Sequence, residues 1–174
     1  MDTESRPLEI GGWLVLVGIG TVIAPFRILY ITATIYLPIF SDGTWQALTT
    51  KGSELYNPLW GPLLSGEIAF NFAMTIASFY LIFLFFSKRR AFPKWFIAIS
   101  LTSLIFIPMD AWVASFLFVD EPILDPDTAV EFGRTAVAAA IWIPYMLISK
   151  RVKATFVNPI EPTKNQFEFG DDAT

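Results

Sequence analysis

Five charged side chains, Arg27, Glu67, Asp110, Glu131 and Arg134, stand inside long apolar runs or at their edges, where a charge is costly unless it is paired or faces water. Asn71 joins them, one helical turn after Glu67. A guanidinium offers a planar fork of donors that suits a carboxylate or a phosphate. A carboxylate can hold a proton, meet a cation or neutralise an arginine. The 174 residues contain no cysteine and no histidine, so thiolate chemistry, thiolate or imidazole metal ligands and the usual haem ligands are excluded. Acid or base chemistry is left to Asp, Glu, Lys, Arg and Tyr. No paired nucleophile and base is visible, and no catalytic residue, metal or cofactor is assigned.

The elements that carry these residues are spelled out by hydrophobicity. Apolar residues make up 54% of the chain, and 17 of them are Phe. Four windows are long enough to cross a hydrocarbon layer, which takes about 20 apolar residues as helix: about 11–36, 66–86, 95–119 and 129–149. These predict an all-α membrane protein, a four-transmembrane-helix bundle in one domain over 1–157. An outer loop covers 41–65, and a mobile cytoplasmic tail is expected over 158–174. The acidic start, Met1 to Ile10, lacks the basic head of a secretory signal and reads as the lead into an uncleaved first span.

Orientation follows from the cations. Lys88, Arg89, Arg90 and Lys94 lie between the second and third spans; Lys150, Arg151, Lys153 and Lys164 follow the fourth, and Arg6 precedes the first. Nine of twelve cations then share one side, against Lys51 alone in an outer loop. Loop cations favour the cytoplasm, so both termini are expected there. At 1.5 Å per residue, Arg27 lies about 24 Å and Asp110 about 22 Å from the inner starts of their spans, while Glu67, Glu131 and Arg134 fall within about 8 Å of the outer starts of theirs. All five therefore occupy one outer tier, which either clamps the helices together or lines an outward pocket. Leu81, Phe83, Phe85 and Phe86 would close such a pocket below.

Local signals refine this layout. Pro25 is expected to kink the first span and Pro38 to end it. Thr44 to Tyr56 reads as a short interfacial helix, an anchor or a lid. Glu67, Asn71, Thr75 and Ser78 share one face of the second span, and Ser100, Ser103 and Asp110 one face of the third. The outer turn from Asp120 to Asp127 carries four acids in a spacing that matches no calcium loop, with Asp127 or Thr128 placed to cap the fourth helix. Glu131 and Arg134, at i and i+3, can pair. Ser87-Lys88-Arg89 and Ser149-Lys150-Arg151 echo one another after the second and fourth spans, which suggests two parallel helical hairpins.

Gly11-Gly12-Trp13-Leu14, Ile23-Ala24-Pro25 and the closing Tyr145-Met146-Leu147-Ile148-Ser149-Lys150-Arg151-Val152-Lys153-Ala154-Thr155-Phe156 resemble the YdgK-like bacterial inner-membrane proteins, a family catalogued as a domain of unknown function. The likeness runs over nearly the whole chain, and its closing segment is the most specific part. It implies a multi-pass, four-helix protein of the bacterial inner membrane and brings no ligand or catalytic residues to carry over.

Two function classes follow. The first is an accessory or interaction protein with a membrane-protein partner. The second is a binder or transporter of a small anion, a lipid headgroup or a proton, working through the outer tier. An intramembrane enzyme ranks third. The expected partners are the bilayer and, at its inner face, anionic headgroups on the basic clusters. Nothing suggests nucleic acid.

Overall fold

The computed structural model describes residues 8–118 and 122–157. Arg6, Val119, Asp120, Glu121, Lys164 and the expected tail lie outside the described residues. Every element described is a helix: α1 (Trp13–Ser41), α2 (Thr44–Thr49), α3 (Trp60–Phe86), α4 (Phe92–Ala114), α5 (Pro126–Ile148) and α6 (Lys150–Thr155). Three of them, α1, α3 and α4, are long and apolar enough to cross a membrane. The fourth long helix, α5, has 23 residues as α4 does, but Glu131 and Arg134 dilute its apolar run.

α1 runs unbroken for 29 residues, about 44 Å, through both of its prolines. Pro38 was expected to end it, yet the helix continues to Ser41. A proline lacks only its own donor and crowds only the preceding turn. Its carbonyl still accepts, here from the Asp42 amide at 3.0 Å and the Ser41 hydroxyl at 3.2 Å. Gly43 then takes the left-handed conformation, φ 86°, and turns the chain into α2. Asp42 Oδ1 accepts from the Thr44 amide at 2.9 Å, and the Thr44 hydrogen bonds hold its carboxyl below the usual aspartate range.

α3 starts at Trp60, six residues before the apolar window. The side chain of Asn57 accepts from the Leu59 amide at 3.0 Å, and Pro62 falls in the first turn, where a missing N–H costs nothing. At its other end Lys88 occupies the left-handed region, φ 49°. The Lys88 amide reaches the Phe85 carbonyl at 3.1 Å and the Arg89 amide reaches Leu84 at 3.0 Å. This pair of bonds is a Schellman closure with lysine in the place glycine usually takes. α5 is capped two residues before the nearer of the two expected caps. Asp125, rather than Asp127 or Thr128, accepts from the Asp127 and Thr128 amides at 2.9 and 3.1 Å. Pro126 stands just inside the helix, as proline at a first turn prefers.

Among the long helices the packed pairs are α1 with α3, α3 with α4 and α4 with α5. The tightest core lies at the end that carries the basic turn. Phe85 and Phe92, from the two sides of that turn, have ring centroids 5.0 Å apart. Phe156, just after α6, stacks on Phe92 at 4.5 Å, and Leu14, Val17, Leu81, Leu84, Met146 and Val152 complete the cluster. The chain before α1 is fastened to the same place: the Leu8 amide donates to the Ala154 carbonyl at 3.0 Å, and Arg151 donates to the Glu9 carbonyl at 3.3 Å. Leu81 and Phe85 are buried here, whereas Phe83 and Phe86, expected to join them, point outward, 54% and 60% exposed. At 100° per residue positions 81 and 85 share one face of the helix, and 83 and 86 turn away from it.

Gly18 of α1 faces the Phe85 ring of α3. A Cβ there would lie 2.8 Å from two atoms of the Phe85 ring, which is itself fully buried and cannot retreat. A Cβ at Gly20 would meet nothing. Gly18→Val is therefore expected to lower stability by about 1–3 kcal/mol, as overpacking does, and to lower the melting temperature in detergent. Gly20→Ala, where helix propensity improves, should leave it level or raise it.

Candidate functional site

The charged tier is built at the end opposite this core. Arg27 of α1 donates to both oxygens of Glu131 of α5, at 3.1 and 3.2 Å. The two helices are not among the closely packed pairs; nearer the core Trp13 meets Trp142 edge-on, centroids 6.4 Å apart, and Leu14, Val17 and Met146 share the buried cluster. The ion pair thus crosses a seam, and each of its side chains is 45% exposed because the seam is open.

Behind the seam lies a central cavity of about 510 Å³. Arg27, Glu131 and Arg134 stand on its wall with Asn71 and the hydroxyl residues Ser78, Ser103 and Thr135; Met74, Leu81, Phe96 and Trp142 line its apolar remainder. Arg134 has no carboxylate partner among the described residues. The i,i+3 pairing of Glu131 with Arg134 is not formed, because Glu131 is taken by Arg27 across the seam.

A second cavity, about 460 Å³, adjoins the first toward the α5 N-terminus. Asn71, Phe106, Ile107 and Glu131 belong to the walls of both. Its charged lining is entirely acidic: Glu67, Asp110, Asp125, Asp127 and Glu131. The Tyr36 hydroxyl donates to Glu67 Oε2. Asp110 has no hydrogen-bond partner among the described residues. Asp125 is occupied by its capping bonds, including the Thr128 hydroxyl on Oδ2 at 2.5 Å, and those bonds hold its carboxyl below the usual range. The space therefore changes sign along its length, from acidic at the α5 N-terminus to net basic below.

A family profile described as "Protein of unknown function (DUF2569)" matches residues 7–157. The chain belongs to this family. It is also similar to the inner membrane protein YdgK of Escherichia coli (strain K12), 32% identical over 165 residues that cover 90% of this chain and 99% of that one. No solved structure matches it. With three helices long and apolar enough to span, this DUF2569 chain is a multi-pass inner-membrane protein.

The six residues singled out from the DUF2569 sequence all line one or both cavities, but not as one cluster. Arg27 and Arg134 belong to the central cavity, Glu67 and Asp110 to the acidic one, and Asn71 and Glu131 to both. Thr75 and Ser78 are buried on the α3 face that carries Asn71, the Thr75 hydroxyl donating to the Asn71 carbonyl at 2.8 Å. Tyr36 was missed. It stands nine positions after Arg27, about half a turn around the helical wheel, so no periodic signal on α1 points to it. The basic residues take no part here: Arg89, Arg90, Lys94, Lys150, Arg151 and Lys153 are exposed at the far end, and Lys88 is half-buried in its turn.

Asp125 joins this site to the stability of α5. Asp125→Ala is expected to lower the melting temperature and to speed hydrogen exchange at the Asp127 and Thr128 amides, while Asp125→Asn keeps most of the cap. The folded pKa is depressed, so the contribution is present above the unfolded value of about 3.9 and fades as the pH falls below it. Wild-type exchange at those two amides should accordingly be flat from neutral pH to about 4, after correction for intrinsic rates, and rise below.

Proposed function

We propose that all four long helices cross the inner membrane, with both chain ends and the α3–α4 turn on the cytoplasmic side, and that the central cavity holds the anionic head of a membrane amphiphile. The orientation is supported by the arrangement of cations: the α3–α4 turn and α6 share one end of the molecule through Phe85, Phe92, Val152 and Phe156, so both basic clusters obey the inside-positive rule together. The fourth span is supported by charge balance, since Arg27 offsets Glu131 at the level where α5 would otherwise bring a lone carboxylate into lipid.

The observation that carries the ligand reading is Arg134. It stands on a cavity wall with no carboxylate partner among the described residues; the hydroxyls and apolar floor of that wall suit a head and a tail, and the half-open α1–α5 seam gives access from the side. An anion on Arg134 would complete what the protein leaves open. A second reading, an accessory subunit of a membrane complex, is favoured by α4, where only Phe92 and Ala111 of 23 residues are buried and Leu101, Ile105, Met109 and Trp112 face outward. A stoichiometric membrane protein that co-purifies and shields that face would support it.

Dodecyl phosphate titrated into the detergent-solubilised protein, read by native mass spectrometry, tests the first reading. Arg134→Gln is expected to weaken binding by about tenfold or more, as loss of a charge-assisted hydrogen bond does, with uncharged dodecanol unaffected. Equal retention of dodecyl phosphate by wild type and variant would reject it.

A further inference from the structure

The two cavities read along α3, α4 and α5 give one order of chemistry. On α5 the sequence runs Asp127, Glu131, Arg134, Trp142; on α3 it runs Glu67, Asn71, Met74, Leu81; on α4, read backwards, Asp110, Ser103, Phe96. Each helix places acid first, then arginine, amide or hydroxyl, then apolar surface. Glu131 is neutralised by Arg27, so the central wall is left with one positive charge, Arg134, and the outer wall with Glu67, Asp110, Asp127 and the capping Asp125.

A simple anion would satisfy only half of this arrangement, because the carboxylates above Arg134 would repel it. We infer that the ligand is a zwitterion, a primary ammonium a few bonds from a phosphate, with the phosphate on Arg134 and the ammonium on Asp110 and Glu67. The inference rests on the proposed anion reading and names its ligand class. Glu131, which belongs to the walls of both cavities, stands about 4.5 Å of helical rise from Arg134, so the acidic wall begins within one turn of the guanidinium. Asp110, with no donor among the described residues, accepts from the ammonium; Glu67, already bonded to Tyr36, adds charge. The apolar floor at Met74, Leu81, Phe96 and Trp142 takes acyl chain, and the α1–α5 seam admits it from the bilayer. With the termini cytoplasmic, ammonium outermost, phosphate next and chain toward the midplane is the order in which a phosphoethanolamine lipid stands in the periplasmic leaflet.

Native mass spectrometry of the full-length protein, titrated with dioleoyl phosphatidylethanolamine and dioleoyl phosphatidylglycerol, separates the possibilities. Wild type is expected to retain the ethanolamine lipid about tenfold better, a preference of the size one good charged contact gives. Asp110→Asn and, independently, Glu67→Gln should erase the preference while phosphatidylglycerol binding stays or improves. Arg134→Gln should weaken both lipids. Displacement by glycerophosphoethanolamine would support the zwitterion chemistry and assign a soluble source; failure to displace, with the preference intact, would support the lipid. Equal retention of the two lipids by wild type, or a preference untouched by both acid variants, overturns the zwitterion inference. Lipid binding that survives Arg134→Gln unchanged overturns the anion reading beneath it.

Discussion

The ion pair between Arg27 and Glu131 is the constraint on which the outer half of the molecule depends. It spans the seam where α1 and α5 face one another without close packing. Each charge offsets the other across the seam, where either alone would be left unbalanced. The pairing also decides the character of the cavity behind it. Because Glu131 reaches across to α1, it is withdrawn from Arg134 on its own helix, and that guanidinium remains on the wall with no carboxylate partner among the described residues.

The two ends of the molecule are held by different physics. Near the basic turn, rings and aliphatic side chains close the interior completely. Phe85 packs into the space that the absent side chain of Gly18 leaves on α1, and Phe156 and Val152 seal the end after the α5–α6 break at Ser149. Toward the α5 N-terminus the facing residues are hydroxyls, an amide and charges, with small side chains such as Ala138 between them. Such a surface cannot be squeezed dry without leaving polar groups unsatisfied. It stays apart instead, and two cavities of opposite charge result. The division between a packed base and an open polar half follows from where the apolar side chains run out along α3 and α5.

Much of this was legible in the sequence because hydrophobic length and charge position are one-dimensional signals. The helical rise and the basic clusters suffice to single out Arg27, Glu67, Asn71, Asp110, Glu131 and Arg134, which line the two adjoining cavities. What was not legible was set by tertiary choice. Glu131 had a local partner at i+3 and took a distant one. Phe83 and Phe86 were grouped with Leu81 and Phe85 by sequence proximity, whereas helical rotation separates them into outward and inward faces. Pro38 signalled an end, but the helix continued on the proline's own carbonyl. Asp125 became the cap because its side chain could serve two amides and a hydroxyl at once. The fastening of Glu9 and Leu8 to α6 joins residues more than a hundred positions apart, and no local pattern announces it.

The seam pair is tested most directly by a double-mutant cycle on Arg27→Ala and Glu131→Ala, with unfolding free energies measured in one detergent. If the pair straps α1 to α5, the double variant is less destabilised than the sum of the singles, by about 0.5–1 kcal/mol for groups this exposed. Additivity within about 0.3 kcal/mol would mean that the two side chains do not hold the seam, and the cavity behind it would lose its strap.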